Sequence, residues 1–199
     1  QGTTTEGGNI IWQAGADLDY SSELTNLTLD ASGYIQLGSN ISTGVGGLTL
    51  NAGAGFVEGD ATTNLVLNGP LRISTGDVNI GTPTGGAQPL ASTLSGTGDL
   101  TKLGNGRLIL SGNNASWEGN TTVSAGALRV TTSNALGDSA PTVVETGASL
   151  ELSGIIALDE PITLEGGVLR NWSGNNTLKQ TLTLNGSSTI DLRQDILSL

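Results

Sequence analysis

Apolar and polar residues alternate along the whole chain in very short runs, and each run closes in a glycine- or asparagine-rich turn. Between residues 96 and 130 the runs are LTKL, RLIL, TTVS and ALRV. Leu108 and Leu110 alternate with Arg107 and Ile109, and Leu128 and Val130 with Arg129. A period of two sends one side chain of each pair into a core and its neighbour outward, which is strand behaviour. The same theme predicts strands at NIIW (9–12), DLDY (17–20), LTNLTL (24–29), YIQL (34–37), LTL (48–50), FV (56–57), NLVL (64–67), LRI (71–73) and VNI (78–80). Beyond residue 130 it predicts ITLEGGVLR (162–170), TLTLNG (181–186) and TIDL (189–192). Helical periodicity is absent, except that Asn134–Gly137 allows a single helical turn.

Strands of about 4 residues cannot persist as isolated hairpins, so they must stack. Strand starts recur about every 7 to 10 residues, and three strands with their turns make a coil of roughly 20 to 25 residues. Stacked coils set equivalent strands about 4.8 Å apart and bury faces that no coil covers alone. The predicted fold is all-β, a right-handed parallel β-helix (β-solenoid) of about 9 coils and near 40 Å long, with little or no helix. A β-sandwich is the alternative, but it prefers longer strands and more aromatics. Ala87–Ser95, with Pro83 just before it and Pro89 within it, is expected to be a loop bulging from the solenoid, because proline removes a ladder donor, with a domain boundary as the alternative. Gly106, Gly112, Gly119 and Gly126 are expected at turns, at least two of them with positive φ.

The stretch 96–130 resembles the passenger-associated transport repeat, or autotransporter-associated β-strand repeat, of secreted bacterial surface proteins. Matching positions are Leu100, Lys102, Gly104, Gly106, Leu108, Leu110, Ser111 and Gly112, then Gly119, Thr121, Thr122, Val123, Gly126, Leu128 and Val130. Trp117 stands where the family usually carries tyrosine, so an aromatic packing role is kept. Asn134, Ala135, Leu136 and Gly137 are similar to the segment that commonly follows the repeat. Residues 7 to 53 resemble filamentous-haemagglutinin-type exoproteins of two-partner secretion. These resemblances imply an exported β-helical segment, an outer-membrane translocator as partner, and a structural role for the motif residues.

Composition narrows the function. Three Trp, two Tyr, one Phe and no Met are poor material for one broad core, whereas 31 glycines fit recurrent turns. A net charge of −11 with seven basic residues argues against nucleic acid, and electrostatic docking on anionic lipid is disfavoured likewise. No cysteine and no histidine remove disulfides, thiol nucleophiles and the commonest general base and metal ligand. Absence of a closed disulfide loop is also what the resemblance implies for threading through an outer-membrane pore. No apolar run approaches the ~20 residues of a membrane helix. With no methionine and no visible signal peptide, the sequence reads as a piece excised from a longer protein.

Candidate chemistry is sparse. Asp17 and Asp19, at i and i+2, could share a strand face about 7 Å apart, as a catalytic pair in sugar cleavage or as calcium ligands. They lack the nearby Arg and Lys of acidic-polysaccharide lyases, so a solvated strand face is the commoner role. Glu58 and Asp60 flank Gly59, and Asp159 and Glu160 precede Pro161; neither pair matches the calcium nonapeptide, of which GTGDL (96–100) holds a fragment. Trp12, Tyr20, Tyr34, Trp117 and Trp172 could stack on sugars, although packing is the usual use of such scattered rings. Sequons at Asn26, Asn40, Asn114, Asn120, Asn171, Asn175 and Asn185 call for exposed turns if modified. Thr25, Thr28, Thr49 and Thr63 are too irregular for an ice-binding ladder.

The sequence therefore reads as a single β-helical domain over 1–199: haemagglutinin-like coils at 1–95, the transport repeat at 96–130 and further coils at 131–199. It is expected to be a secreted or cell-surface adhesive rod segment, not an enzyme, with no cofactor or metal. Host or cell-surface glycan or protein, and end-on self-association, are the expected contacts beyond the translocator. A carbohydrate-active β-helix enzyme, a polysaccharide lyase or hydrolase, is the alternative.

Overall fold

The computed structural model describes residues 3–6, 8–53, 57–59, 64–67, 69, 71–75 and 89–199. Phe56, Asp60, Thr63, Val78–Ile80 and Pro83, and the side chain of Glu58, lie outside the described residues. The described strands are short and fall into four sheets of ten, eight, five and three strands. The chain visits the ten-stranded sheet, then the five- or three-stranded one, then the eight-stranded one, and starts again one coil higher. Every pairing between named strands is parallel except the first, where Thr3–Glu6 runs antiparallel to Asn9–Trp12 and closes that edge of the ten-stranded sheet. The result is an all-β parallel solenoid.

It has about 8 turns rather than 9, because the coils differ in length. Leu90, Leu110 and Val130 are successive register partners, whereas Gly59 and Leu90, also partners, are much farther apart in sequence. The stretch expected to bulge out as a loop is partly strand. Pro89–Leu90 pairs with its neighbours in the ten-stranded sheet and Thr93–Gly96 in the five-stranded sheet. Pro89 is tolerated because it opens its strand, where no ladder N–H is required of it. LTNLTL is also shorter than expected: its strand is Leu27–Ala31, and Leu24 is exposed. Residues 133–136 form turns closed by Gly137 N–H to Asn134 O at 3.2 Å, not a helix. They occupy the one coil between the five- and three-stranded sheets, where Asp138 N–H still reaches Trp117 O at 3.2 Å.

Strict alternation builds continuous internal rows. One runs through Leu108, Leu128, Leu150, Leu169 and Ile190, another through Leu27, Leu48, Leu71, Leu100, Thr121, Thr142, Ile162 and Leu182. Leu108, Leu128, Leu150 and Leu169 are each essentially fully buried, while Ile109 and Arg129 between them are not. At roughly 2 kcal/mol per buried leucine, these rows are the main driving force for coil stacking. The rows end openly: Leu184, Ile190, Leu192, Ile196 and Leu199 of the last coil are exposed.

Candidate functional site

Residues 100–130 form the middle of the solenoid and supply strands to three of its sheets. Leu100, Leu108, Leu110, Val123, Leu128 and Val130 fill the internal rows, and Trp117 is fully buried with its Nε1–H donating to Gly98 O at 2.8 Å. Thr121 is buried with Oγ1 unpartnered. Among the four glycines named from sequence, only Gly126 has positive φ; Gly104 joins it. Gly112 and Gly119 are required for another reason: a Cβ there would collide with the backbone at Ser92 and at Gly98 of the preceding coil.

Lys102 has no exposed surface, in the row Ile73, Lys102, Val123, Val144, Leu164. The alternation of LTKL sends it inward beside Leu100. Its Nζ reaches Leu103 O, Gly104 O at 2.9 Å and Ala125 O at 3.3 Å, so the ammonium lies on the carbonyls of two turns. Burial pulls its pKa down from 10.5 to about 8. Lys102 thereby ties two coils together at a turn.

Outward from the same coils lies a charged cluster. Arg129, Glu151, Arg170 and Asp191 are register partners on four successive strands of the ten-stranded sheet. Glu151 is fully buried beneath Arg107 (Nε to Oε2, 2.9 Å), Arg129 (Nε to Oε2, 2.9 Å) and Arg170 (Nη1 to Oε1, 2.8 Å). Burial would raise the Glu151 pKa, but hydrogen bonds and charge from Arg107 and Arg129 outweigh it and hold the carboxyl below its ordinary value. For Arg129 burial dominates and the shift is downward; the guanidinium nevertheless stays charged, as arginine does in proteins. Its Nη2 sits 2.7 Å from Glu151 Oε2 but off the hydrogen-bond direction, so that contact is an ion pair only. Asp191 continues the chain of charges, accepting from Arg170 and Arg193, each at 2.8 Å.

A β-bulge places the aromatic member. Leu152 pairs with Asn171 and Ser153 with Ser173, leaving Trp172 as the extra residue. Bulges re-aim side chains, and this one turns the indole over the arginines. The Arg129 guanidinium lies 4.1 Å from its ring centroid and that of Arg107 lies 5.2 Å away.

Residues 100–130 match the passenger-associated-transport-repeat family model. The chain carries a passenger-associated transport repeat. The BmaC autotransporter adhesin of Brucella suis biovar 1 (strain 1330) is 38% identical over 143 residues, which cover 64% of this chain and 4% of that protein. The chain thus corresponds to a small part of the length of the curated relative it matches. No solved structure matches it. The transport repeat and this likeness indicate a secreted or cell-surface, autotransporter-type β-helical segment.

Outside the transport repeat, the remaining candidates divide cleanly. Asp17 accepts from Asn40 N–H at 3.0 Å and from its Nδ2 at 3.1 Å, while Asp99 does the same for Asn120 at 2.9 and 3.0 Å. These carboxylates staple one coil's turn to the next. Asp19 accepts from Ser21 N–H in its own turn, and hydrogen bonding from the Ser21 hydroxyl, then from that N–H, lowers its pKa. Asp159 is occupied by Gln180 and Lys179. Glu160 differs: it is buried, only its Oε2 accepts a bond (from Asp159 N–H), and burial raises its pKa to about 7. Among the described residues no three carboxylates converge on a metal position.

Of the aromatics, Trp12 is buried and donates to Ala16 O at 2.7 Å, and Tyr20 donates to Gly47 O at 3.0 Å. Tyr34 is half-buried, and Trp172 is 38% exposed. Two sequons lie inward rather than on exposed turns. Asn114 is buried, accepting from Leu94 N–H and donating to Ala135 O, and Asn171 donates to Gln194 O. The arginine–tryptophan cluster was missed because its members are far apart in sequence. The one available signal was the outward alternation of Arg129, Glu151 and Arg170 at coil spacing.

Proposed function

We propose that this chain is a structural and adhesive rod segment, one continuous β-helical domain over 1–199, in which the transport repeat aids export and outward folding and exposed loops contact host or cell-surface glycan or protein. The observation that carries this is the repeat's place in the solenoid: its strands sit in register between earlier and later coils. A coil with buried leucines and close glycine turns templates the next one, so folding can proceed from coil to coil as the chain emerges. An outer-membrane translocator is the partner that this route requires, and the motif residues of the transport repeat act structurally.

The reading is non-catalytic: Asp17 and Asp159 bridge neighbouring turns, Asp19 is bonded within its own turn, and three arginines over Glu151 hold its carboxyl below its ordinary pKa, which does not suit a general acid. The test is display of the chain fused to an autotransporter barrel, scored by protease protection and antibody access at the cell surface. Replacing Leu108 and Leu128 together by Asp is expected to slow display and abolish protection. Unchanged display and protection would overturn the export role. Binding of the purified chain to host cells tests adhesion, and reproducible cleavage of pectin or alginate, lost in Asp17→Asn, would replace the rod by an enzyme.

A further inference from the structure

We propose that the shelf formed by Trp172, Arg107, Arg129, Arg170 and Arg193 on the outer face of the ten-stranded sheet binds an acidic saccharide, with the ring on the indole and a carboxylate or sulfate on the guanidinium groups. This deepens the adhesive reading and rests on it. Four of the chain's seven basic residues gather here, against two carboxylates, Glu151 and Asp191, in a molecule of net charge −11. Such a concentration leaves two uncompensated positive charges on one strip of sheet. The strip is accessible: side chains of Arg107 and Arg193 are 30% and 57% exposed, and Trp172 is 38% exposed.

Purely structural pairing accounts for the buried part only. One arginine would neutralise Glu151, yet three converge on it, and Arg193 lies beyond Asp191 at the open edge. The bulge is the second observation. It leaves Trp172 unpaired in the ladder and lays the indole over Arg129 and Arg107, which pins the ring against cations while it remains partly open to solvent. An apolar ring face beside fixed guanidinium groups suits a sugar that carries an anionic substituent, since aromatic faces take sugar C–H faces and arginine forks take carboxylate or sulfate. Because the strands are parallel and in register about 4.8 Å apart, Arg129 and Arg170, two strands apart, stand roughly 10 Å from one another, within the length of one short oligosaccharide.

The test is calorimetric titration of the 199-residue chain in low-salt buffer near pH 7. A heparin-derived hexasaccharide serves as sulfated probe, an oligogalacturonate as carboxylate probe, and a dextran oligosaccharide and a single-stranded DNA oligonucleotide as controls. At least one acidic saccharide is expected to bind, with dextran silent and DNA at least tenfold weaker. Trp172→Ala and Arg193→Gln should each weaken binding at least fivefold, Trp172→Phe should restore most of it, and 0.5 M salt should abolish it. Thermal melts of each variant separate lost binding from lost folding, and the exposed Arg193→Gln keeps the test open if the tryptophan variant unfolds. No acidic probe binding, DNA binding equally well, or affinity unchanged in Arg193→Gln and in a folded Trp172→Ala would each overturn the proposal. If host-cell binding persists in Trp172→Ala, adhesion stands and this site falls. If the glycan binds but cells do not, the site stands and adhesion falls.

Discussion

At the residue scale, neighbours in one strand differ sharply in what they support. Leu108→Ala or Leu128→Ala should cost about 2 to 4 kcal/mol by leaving a gap in a fully buried row, measured by urea unfolding. Ile109→Ala should cost far less. Alternation alone puts Arg129 in the same inexpensive class, but its Nε–H donates to Oε2 of the buried Glu151, and removing it takes a charge-assisted hydrogen bond from that carboxylate. Arg129→Ala is therefore expected to cost about 2 kcal/mol or more, close to the leucine variants, and Glu151→Gln with Arg129→Ala less than the sum of the two. A strictly additive double mutant would break this coupling. The leucine result was legible in the sequence because period two needs no tertiary information. Arginine coupling was not, because coil length sets which outward residues meet, and no local pattern records it.

At the element scale, two ionisable groups inside the coils set opposite pH responses. Lys102 has a folded pKa of about 8 against 10.5, so the unfolded chain holds the proton more tightly. Below pH 8 its penalty is fully present; as pH rises from 8 to 10.5 the folded form releases the proton first and stability increases, by on the order of 3 kcal/mol. Lys102→Met should flatten that rise in the urea midpoint. Glu160 is the converse case, with burial lifting its pKa from 4.5 to about 7. Its favourable contribution is complete below pH 4.5 and disappears as pH climbs to 7, a change of roughly 3 kcal/mol that Glu160→Gln should remove. A pH profile identical to wild type in either variant would exclude its assignment. Lys102 has the parity of Leu100 in its strand, whereas Glu160 sits in the turn before Pro161, and the burial of either without a full ion pair depends on turn carbonyls and coil neighbours that a linear pattern does not reveal.

For the whole molecule, three-strand coils and parallel stacking were legible from turn spacing and from the scarcity of aromatics. Coil number was less so, since one long interval, Gly59 to Leu90, takes the place of an extra turn. The exposed Leu192 and Ile196 of the last coil lead to a prediction at this scale. The 199-residue chain should associate end-on in sedimentation runs at high concentration, and Leu192→Lys with Ile196→Lys should return it to monomer. Association unaffected by the double variant would point to another surface.

Arg107 reaches past the strand beside it to Glu151, two coils on, and Glu151, Arg170 and Asp191 carry the linkage to the last coil. Most solenoid contacts join only adjacent coils, so a tether pulling on the C-terminus should peel turns away singly, each releasing about 70 Å of contour for ~21 residues. Here the ionic bracing spans several turns. Drawn out by optical tweezers, the segment from residue 107 onward should yield in one cooperative rupture, while Glu151→Gln with Arg170→Gln should break that event into a staircase of small steps. Such bracing would set the load at which this part of the solenoid gives way under tension.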